Sequence, residues 1–124
     1  MDDITIRTAT VDELTDVMGV IDAGLLACSI ETVRSRIEAN SVLVAATATT
    51  VVGVLVREGE LIKAIAVRPN RRGQSIGSRL IDTAGEGRRL CARFSPAVRP
   101  FYEHNDFEIT NTGERLRGIR PAVR

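Results

Sequence analysis

Apolar positions along this chain recur at two periods, and the switches between them mark out its elements. Ile4-Thr5-Ile6-Arg7 alternates as a strand does. Thr10-Val11-Asp12-Glu13 is a capping-box pattern, in which Thr10 caps a helix and Glu13 reaches back to it. Behind it Leu14, Val17, Met18, Ile21 and Leu25 fall on one helical face, and Gly24 weakens the helix end. Ser29 caps a second helix with Ile30, Val33 and Ile37 on a shared face, and Asn40-Ser41 ends it. Two β-branched runs follow, over residues 42–47 and 51–56. Glu58-Gly59 then signals a hairpin into a third strand, Leu61 to Val67. Three strands joined by tight turns predict an antiparallel meander.

A basic turn leads from that strand to a helix with Ile76, Leu80, Ile81 and Ala84 on one face, stopped by Gly85 and Gly87. Leu90 to Phe94 reads as another strand. Pro100 would sit inside a helix begun at Ser95-Pro96, so residues 95–99 are expected to form an irregular turn and residues 100–105 a short helix. Residues 107–111 and 115–119 close the chain as a hairpin about Gly113. The order β-α-α-β-β-β-α-β-α-β-β predicts an α/β fold of the α+β kind, a mixed sheet with helices on both faces. Repeats, low-complexity tracts and linkers are absent, so residues 1–124 are expected to form a single domain.

Composition narrows the partners. A formal net charge of +1 provides no global field toward nucleic acid or an acidic membrane. The start, Met1-Asp2-Asp3-Ile4, has no basic n-region, and no segment reaches membrane-spanning length, so a soluble cytoplasmic protein is expected. Cys28 and Cys91 lack metal-ligand spacing and read as small, reduced, buried hydrophobes. His104 is the sole His; two residues beyond Tyr102 on a short helix, it should point away from Tyr102 to the surface. With so few Cys and His, no metal site is expected.

The chemistry concentrates in Arg68-Pro69-Asn70-Arg71-Arg72-Gly73-Gln74-Ser75-Ile76-Gly77. A basic turn between a strand and a helix can aim several N–H groups at one point, at the positive end of the helix dipole, and so cradle a pyrophosphate. It is not a Walker A loop, which needs Gly-Lys-Ser/Thr, nor a dinucleotide fingerprint, which needs a third glycine besides Gly73 and Gly77. Without an anion, Arg68, Arg71, Arg72 and Arg79 would repel one another. The plainer alternative is a solvated basic turn.

This loop resembles the acyl-CoA pyrophosphate loop of the GCN5-related N-acetyltransferases, Gln/Arg-x-x-Gly-x-Gly/Ala. Arg72 fills the first place and Gly77 the last, with Ser75 where the middle Gly is usual. Phe101-Tyr102-Glu103-His104-Asn105-Asp106-Phe107 is similar to the same family's FYE-x-x-GF segment, with Asp106 in place of its Gly.

The resemblance implies an N-acetyltransferase fold whose sheet splays after the fourth strand, with acetyl-CoA as co-substrate in the gap. Its contacts would come from Ile65, Ala66 and Val67 on the strand and from Arg71, Arg72, Gly73, Gln74, Ser75, Ile76, Gly77 and Ser78 in the loop and first helical turn. Arg68 or Arg79 would meet the 3′-phosphate. Tyr102 would protonate the leaving thiolate, and its competing reading is a core aromatic. The strand N–H near Ala66 or Val67 would polarise the thioester carbonyl. Phe101 and Phe107 read as core.

The family's usual base, a Glu on the fourth strand, falls on Leu61. Glu60 has the opposite strand parity, while Lys63 shares that of Leu61 and would put a cation into the gap. Water, the substrate or Glu58 remain as bases, and Glu58 and Glu60 also fit a solvated turn. The resemblance locates acceptor specificity in residues 25–38 and 109–120. A small-molecule primary amine is the first expectation, a protein α-amine or lysine the second, and a non-catalytic acyl-CoA sensor the third. The family's habit and the sheet's edges suggest a homodimer.

Overall fold

The computed structural model describes residues 3–23, 28–111, 113 and 115–122. Its strands are β1 (Thr5–Thr8), β2 (Val42–Ala46), β3 (Val51–Glu58), β4 (Leu61–Val67), β5 (Leu90–Phe94), β6 (Glu108–Asn111) and β7 (Leu116–Arg120). Its helices are α1 (Leu14–Ala23), α2 (Ile30–Glu38), α3 (Ile76–Ala84) and α4 (Arg99–His104). Short 3-10 turns at Val11–Glu13, Pro69–Arg71 and Pro96–Val98 lead into α1, the loop before α3, and α4. The sheet order is β1-β2-β3-β4-β5-β7-β6, antiparallel except for β4 beside β5.

Local chemistry explains most boundaries. Glu13 Oε1 accepts from the Thr10 N–H at 2.9 Å, and Arg7 forks onto the same carboxylate at 2.7 and 2.6 Å. Ser29 Oγ accepts from the Thr32 N–H at 3.2 Å and starts α2. Val42, Val44, Val52, Val54, Leu55 and Val56 are buried, because β2 and β3 are covered on both faces. Val17, Ile21, Val33 and Ile37 from α1 and α2 pack on one face with Val44, Val54 and Ala66. Ile76, Leu80 and Ile81 pack on the other face with Leu55, Leu90, Phe94 and Tyr102.

Some expectations need correction. Ile30, assigned to the buried face of its helix, is about half exposed. It opens the helix next to the cap, before α2 reaches the sheet. Cys28 and Cys91 are half-buried rather than buried. Gly24 and Leu25 lie outside the described residues.

Two non-local features determine the shape around β4. First, Val56 pairs with Ala64 but Arg57 pairs with Ile62, so Lys63 is an extra residue, a β-bulge. Ala64 and Ala66 pack toward α1 and α2, whereas Ile62, Ile65 and Val67 pack toward α3 and α4. Simple alternation therefore fails across Lys63, and the parity argument about Leu61, Glu60 and Lys63 does not carry through it. Second, β4 and β5 are in register only at Leu61 and Cys91, with the Cys91 N–H donating to Glu60 O at 2.8 Å. Beyond that pair the strands part.

Arg120 is buried against the back of this arrangement. Its Nε donates to Asn105 O at 3.0 Å and its Nη2 to Asp82 Oδ1 at 2.9 Å. Its Nη1 crosses Gly85 so closely that a Cβ there would lie 2.1 Å away. A side chain at Gly85 would displace the Arg120 guanidinium from this position.

Candidate active site

The parting of β4 from β5 opens a cleft of about 840 Å³. One arm is β4, whose β5-side backbone edge beyond Leu61 is left to the cleft. The other is the end of β5, with Arg93, Phe94 and Ser95, backed by α4. The loop before α3 closes the wide end.

That loop is built around two left-handed residues, Gly73 at φ 81° and Ser75 at φ 62°. Successive N–H groups in such a turn form a concavity suited to an anion. The first amide bond into α3 runs from Arg79 N–H to Ser75 O at 3.0 Å, so the N–H groups of Ile76, Gly77 and Ser78 open the helix without a carbonyl one turn earlier. Arg71 and Arg72 line the same end of the cleft.

Of the strand, loop and first-turn residues that the sequence assigned to acetyl-CoA, residues 65–67 and 71–78, all line this cleft except Gln74, which is exposed and outside it. Arg68 and Arg79 are occupied elsewhere. Arg68 Nε donates to Val51 O at 3.0 Å, and Arg79 Nη2 donates to Ile4 O at 2.8 Å beside a separate surface hollow. Neither lines the cleft.

Tyr102 stands in the cleft wall and is buried, with Phe94 stacked on it and Phe101 and Phe107 edge-on. Burial pushes its phenol up to about 12, with the Arg115 cation pulling the other way. The hydroxyl thus stays protonated at any ordinary pH and is available as a proton donor. Phe101 does more than fill the core: it borders the cleft, and a Cβ on Gly77 would come within 3.0 Å of its ring. Gly77 therefore admits an aromatic ring as well as an approaching ligand.

His104 is exposed as expected, but it lines the same cleft as Tyr102 instead of facing away. The short helix lies along the cleft rim, so residues two apart both reach it. Glu60 is bound to Arg89 at 2.9 Å, and neither Glu58 nor Glu60 lines the cleft. No carboxylate lines it at all among the described residues, whereas Lys63, Arg71, Arg72, Arg93 and Arg115 do. Arg93 and Arg115 escaped sequence reasoning: Arg93 lies within β5 and Arg115 just before β7, and it is the pairing of those two strands that brings both to the gap. Among the described residues no group of His, Cys, Asp or Glu is placed to hold a metal ion, and no helix is long and apolar enough to cross a membrane.

A splayed sheet with an amide-rich loop at the mouth of the gap defines an acyl-CoA N-acyltransferase architecture. The chain belongs to the GCN5-related acetyltransferases: residues 38–109, more than half of it, match the family model described as an acetyltransferase (GNAT) domain. Among curated proteins none matches it in sequence. Solved structures share the fold at low identity. A GNAT-family acetyltransferase from Bacillus cereus superposes with TM-score 0.86 at 13% identity, covering 98% of this chain and 99% of that one. Diaminobutyrate acetyltransferase EctA from Paenibacillus lautus, in complex with L-2,4-diaminobutyric acid and coenzyme A, superposes with TM-score 0.79 at 15% identity, covering 100% and 98%. Arabidopsis thaliana Naa50, bound to a bisubstrate analogue of CoA and a peptide, gives 0.75 at 14%, covering 94% and 96%.

Proposed function

We propose that this protein transfers the acetyl group of acetyl-CoA to a primary amine by direct attack. The observation that carries the reading is the cleft beyond Leu61 and Cys91, with the amide-rich loop at its mouth and Tyr102 in its wall. The loop N–H groups, with Arg71 and Arg72, would hold the pyrophosphate. The pantetheine arm would run along the open edge of β4, which offers it backbone partners in the manner of an added strand.

In the reaction the neutral amine forms a bond to the thioester carbonyl carbon, and the bond from that carbon to sulfur breaks. The thiolate takes a proton from the Tyr102 hydroxyl, and the proton shed by the attacking nitrogen restores the phenol. A second proton, lost when the ammonium became an amine, goes to water. The products are the N-acetylated amine and free CoA thiol. A strand N–H near Ala66 or Val67 would steady the carbonyl oxygen as it gains charge. No covalent intermediate on Cys28 or Cys91 is required, and neither lines the cleft.

One observation favours a second reading, an acyl-CoA-binding module without turnover: among the described residues the cleft presents no side-chain carboxylate to take a proton from an ammonium. Thiol release from acetyl-CoA against a panel of amines, beside calorimetric binding of acetyl-CoA, separates the two. Release that depends on an added amine supports the transferase. Binding without release for every amine supports the module.

A further inference from the structure

We infer that the acceptor is a small molecule bearing an anionic group near its amine, held by the Lys63 and Arg93 cations at the narrow end of the cleft. This rests on the transferase reading above and names its substrate class.

The argument begins with position. The register pair Leu61 and Cys91 marks the apex of the gap, so Lys63 and Arg93 lie two residues beyond it, one on each arm. Both line the cleft. Lys63 lies four residues before Val67, or about 13 Å of strand, and the phosphate loop begins beyond Val67. Arg71 and Arg72 at the loop and the two apex cations are therefore separate positive sites on one cleft.

The apex is also overcharged. Arg93 sits directly opposite Arg117 across the β5–β7 pair, and like charges so placed repel. Among the described residues of β5, β6 and β7, the acid on that sheet face is Glu108, opposite Ile119 and so diagonal to Arg117. Among the described residues no ion pair joins Glu108 to these cations, and no carboxylate lines the cleft. An anion bridging Lys63 and Arg93 relieves this repulsion. A purely cationic amine adds to it.

The same charges bear on how the acceptor loses its proton. A bound ammonium beside Lys63 and Arg93 is disfavoured against the neutral amine, so its proton passes to water more readily. The anionic group supplies the binding that the ammonium cannot. The apex thus selects an acceptor and prepares its nucleophile without a carboxylate.

The test compares matched acceptors in amine-dependent thiol release: amino acids against their decarboxylated amines, and phosphoethanolamine against ethanolamine. Preference for the first member of either series supports the inference, and the series preferred tells carboxylate from phosphate. Arg93→Gln and Lys63→Gln should each lower the ratio of kcat/KM for the anionic over the matched neutral partner by about 10- to 100-fold. Lys63→Gln should also move the acidic limb of the kcat profile to higher pH. Both positions are exposed, so thermal unfolding verifies that the variants fold.

Equal or faster turnover of decarboxylated amines, or of peptides with a free N-terminus, overturns the inference and leaves the transferase standing. So does a loss of affinity for acetyl-CoA in these variants that is absent for its 3′-dephospho form, because the cations would then serve the nucleotide. Absence of turnover with every amine overturns the transferase and the acceptor together.

Discussion

The rings of Tyr102 and Phe94 stack with centroids 4.0 Å apart and planes 11° from parallel, joining the short helix α4 to the end of β5 in the wall of the cleft. Packing and proposed chemistry meet in one side chain, and substitution can separate them. Tyr102→Phe keeps the stack and both edge-on contacts. Thermal stability and acetyl-CoA affinity should hardly change, while turnover falls by about 10²- to 10⁴-fold, the usual loss of a positioned acid. Lost stability with an unchanged rate per folded molecule would make Tyr102 a packing residue only.

The same tyrosine can be titrated alone, since the chain has a single Tyr and no Trp. Burial raises its phenol from 10 to about 12. The folded chain therefore keeps a proton that the unfolded chain releases. This contribution to stability is complete below about pH 10 and is lost as pH rises toward 12. Tyrosinate absorbance should stay flat through pH 10 in the folded protein and appear at pH 10 in denaturant. The activity profile should show no alkaline fall from Tyr102 below that range.

Arg72 lines the wide end of the cleft beside the loop amides. Arg72→Ala should weaken acetyl-CoA binding by about 1–3 kcal/mol, the worth of a charge-assisted contact to phosphate. Calorimetry showing unchanged affinity would remove the loop as the phosphate site.

Ser75 and Asp106 stand where the resembling motifs carry glycine, and both adopt left-handed backbone, at φ 62° and 69°. A side chain there is strained by about 1 kcal/mol. Ser75→Gly and Asp106→Gly should each raise the unfolding temperature by a few degrees, with smaller gains for Asp106 because Asp tolerates this region better. Ser75→Gly should also tighten acetyl-CoA binding if the strain is felt at the loop. Lower stability in both variants would contradict the backbone assignment.

Glu13 is held down to about 2 by the Arg7 fork, helped by the Thr10 N–H. The folded chain thus resists a proton that the unfolded chain accepts. The stabilisation is present above about pH 4.5 and drains away as pH falls toward 2. Glu13→Gln should lower stability at pH 7 by about 1 kcal/mol or less, since Arg7 is well exposed. It should also flatten the acid limb of a denaturation series, and an unchanged limb would place the acid sensitivity elsewhere.

The elements, the caps and the loop could be read from the chain because each depends on neighbours in sequence. Thr10 and Glu13, Ser29 and Thr32, and the stripe of Ile76, Leu80, Ile81 and Ala84 lie within one or two helical turns. Ser75 in place of the resembling motif's middle Gly is likewise a local feature, legible in the chain. What surrounds the cleft depended on register and on packing between distant segments. The bulge at Lys63 reverses strand parity only because of how β3 pairs with β4. Arg68 and Arg79 leave the cleft because Val51 O and Ile4 O, far away in sequence, come within hydrogen-bond reach. Arg93 meets Arg117 only once β7 lies between β5 and β6. The sequence alone therefore determined which segments form and where the basic, glycine-containing turn stands. The tertiary structure alone decided which charges face the cleft, because electrostatic neighbours are chosen by strand pairing and not by distance along the chain.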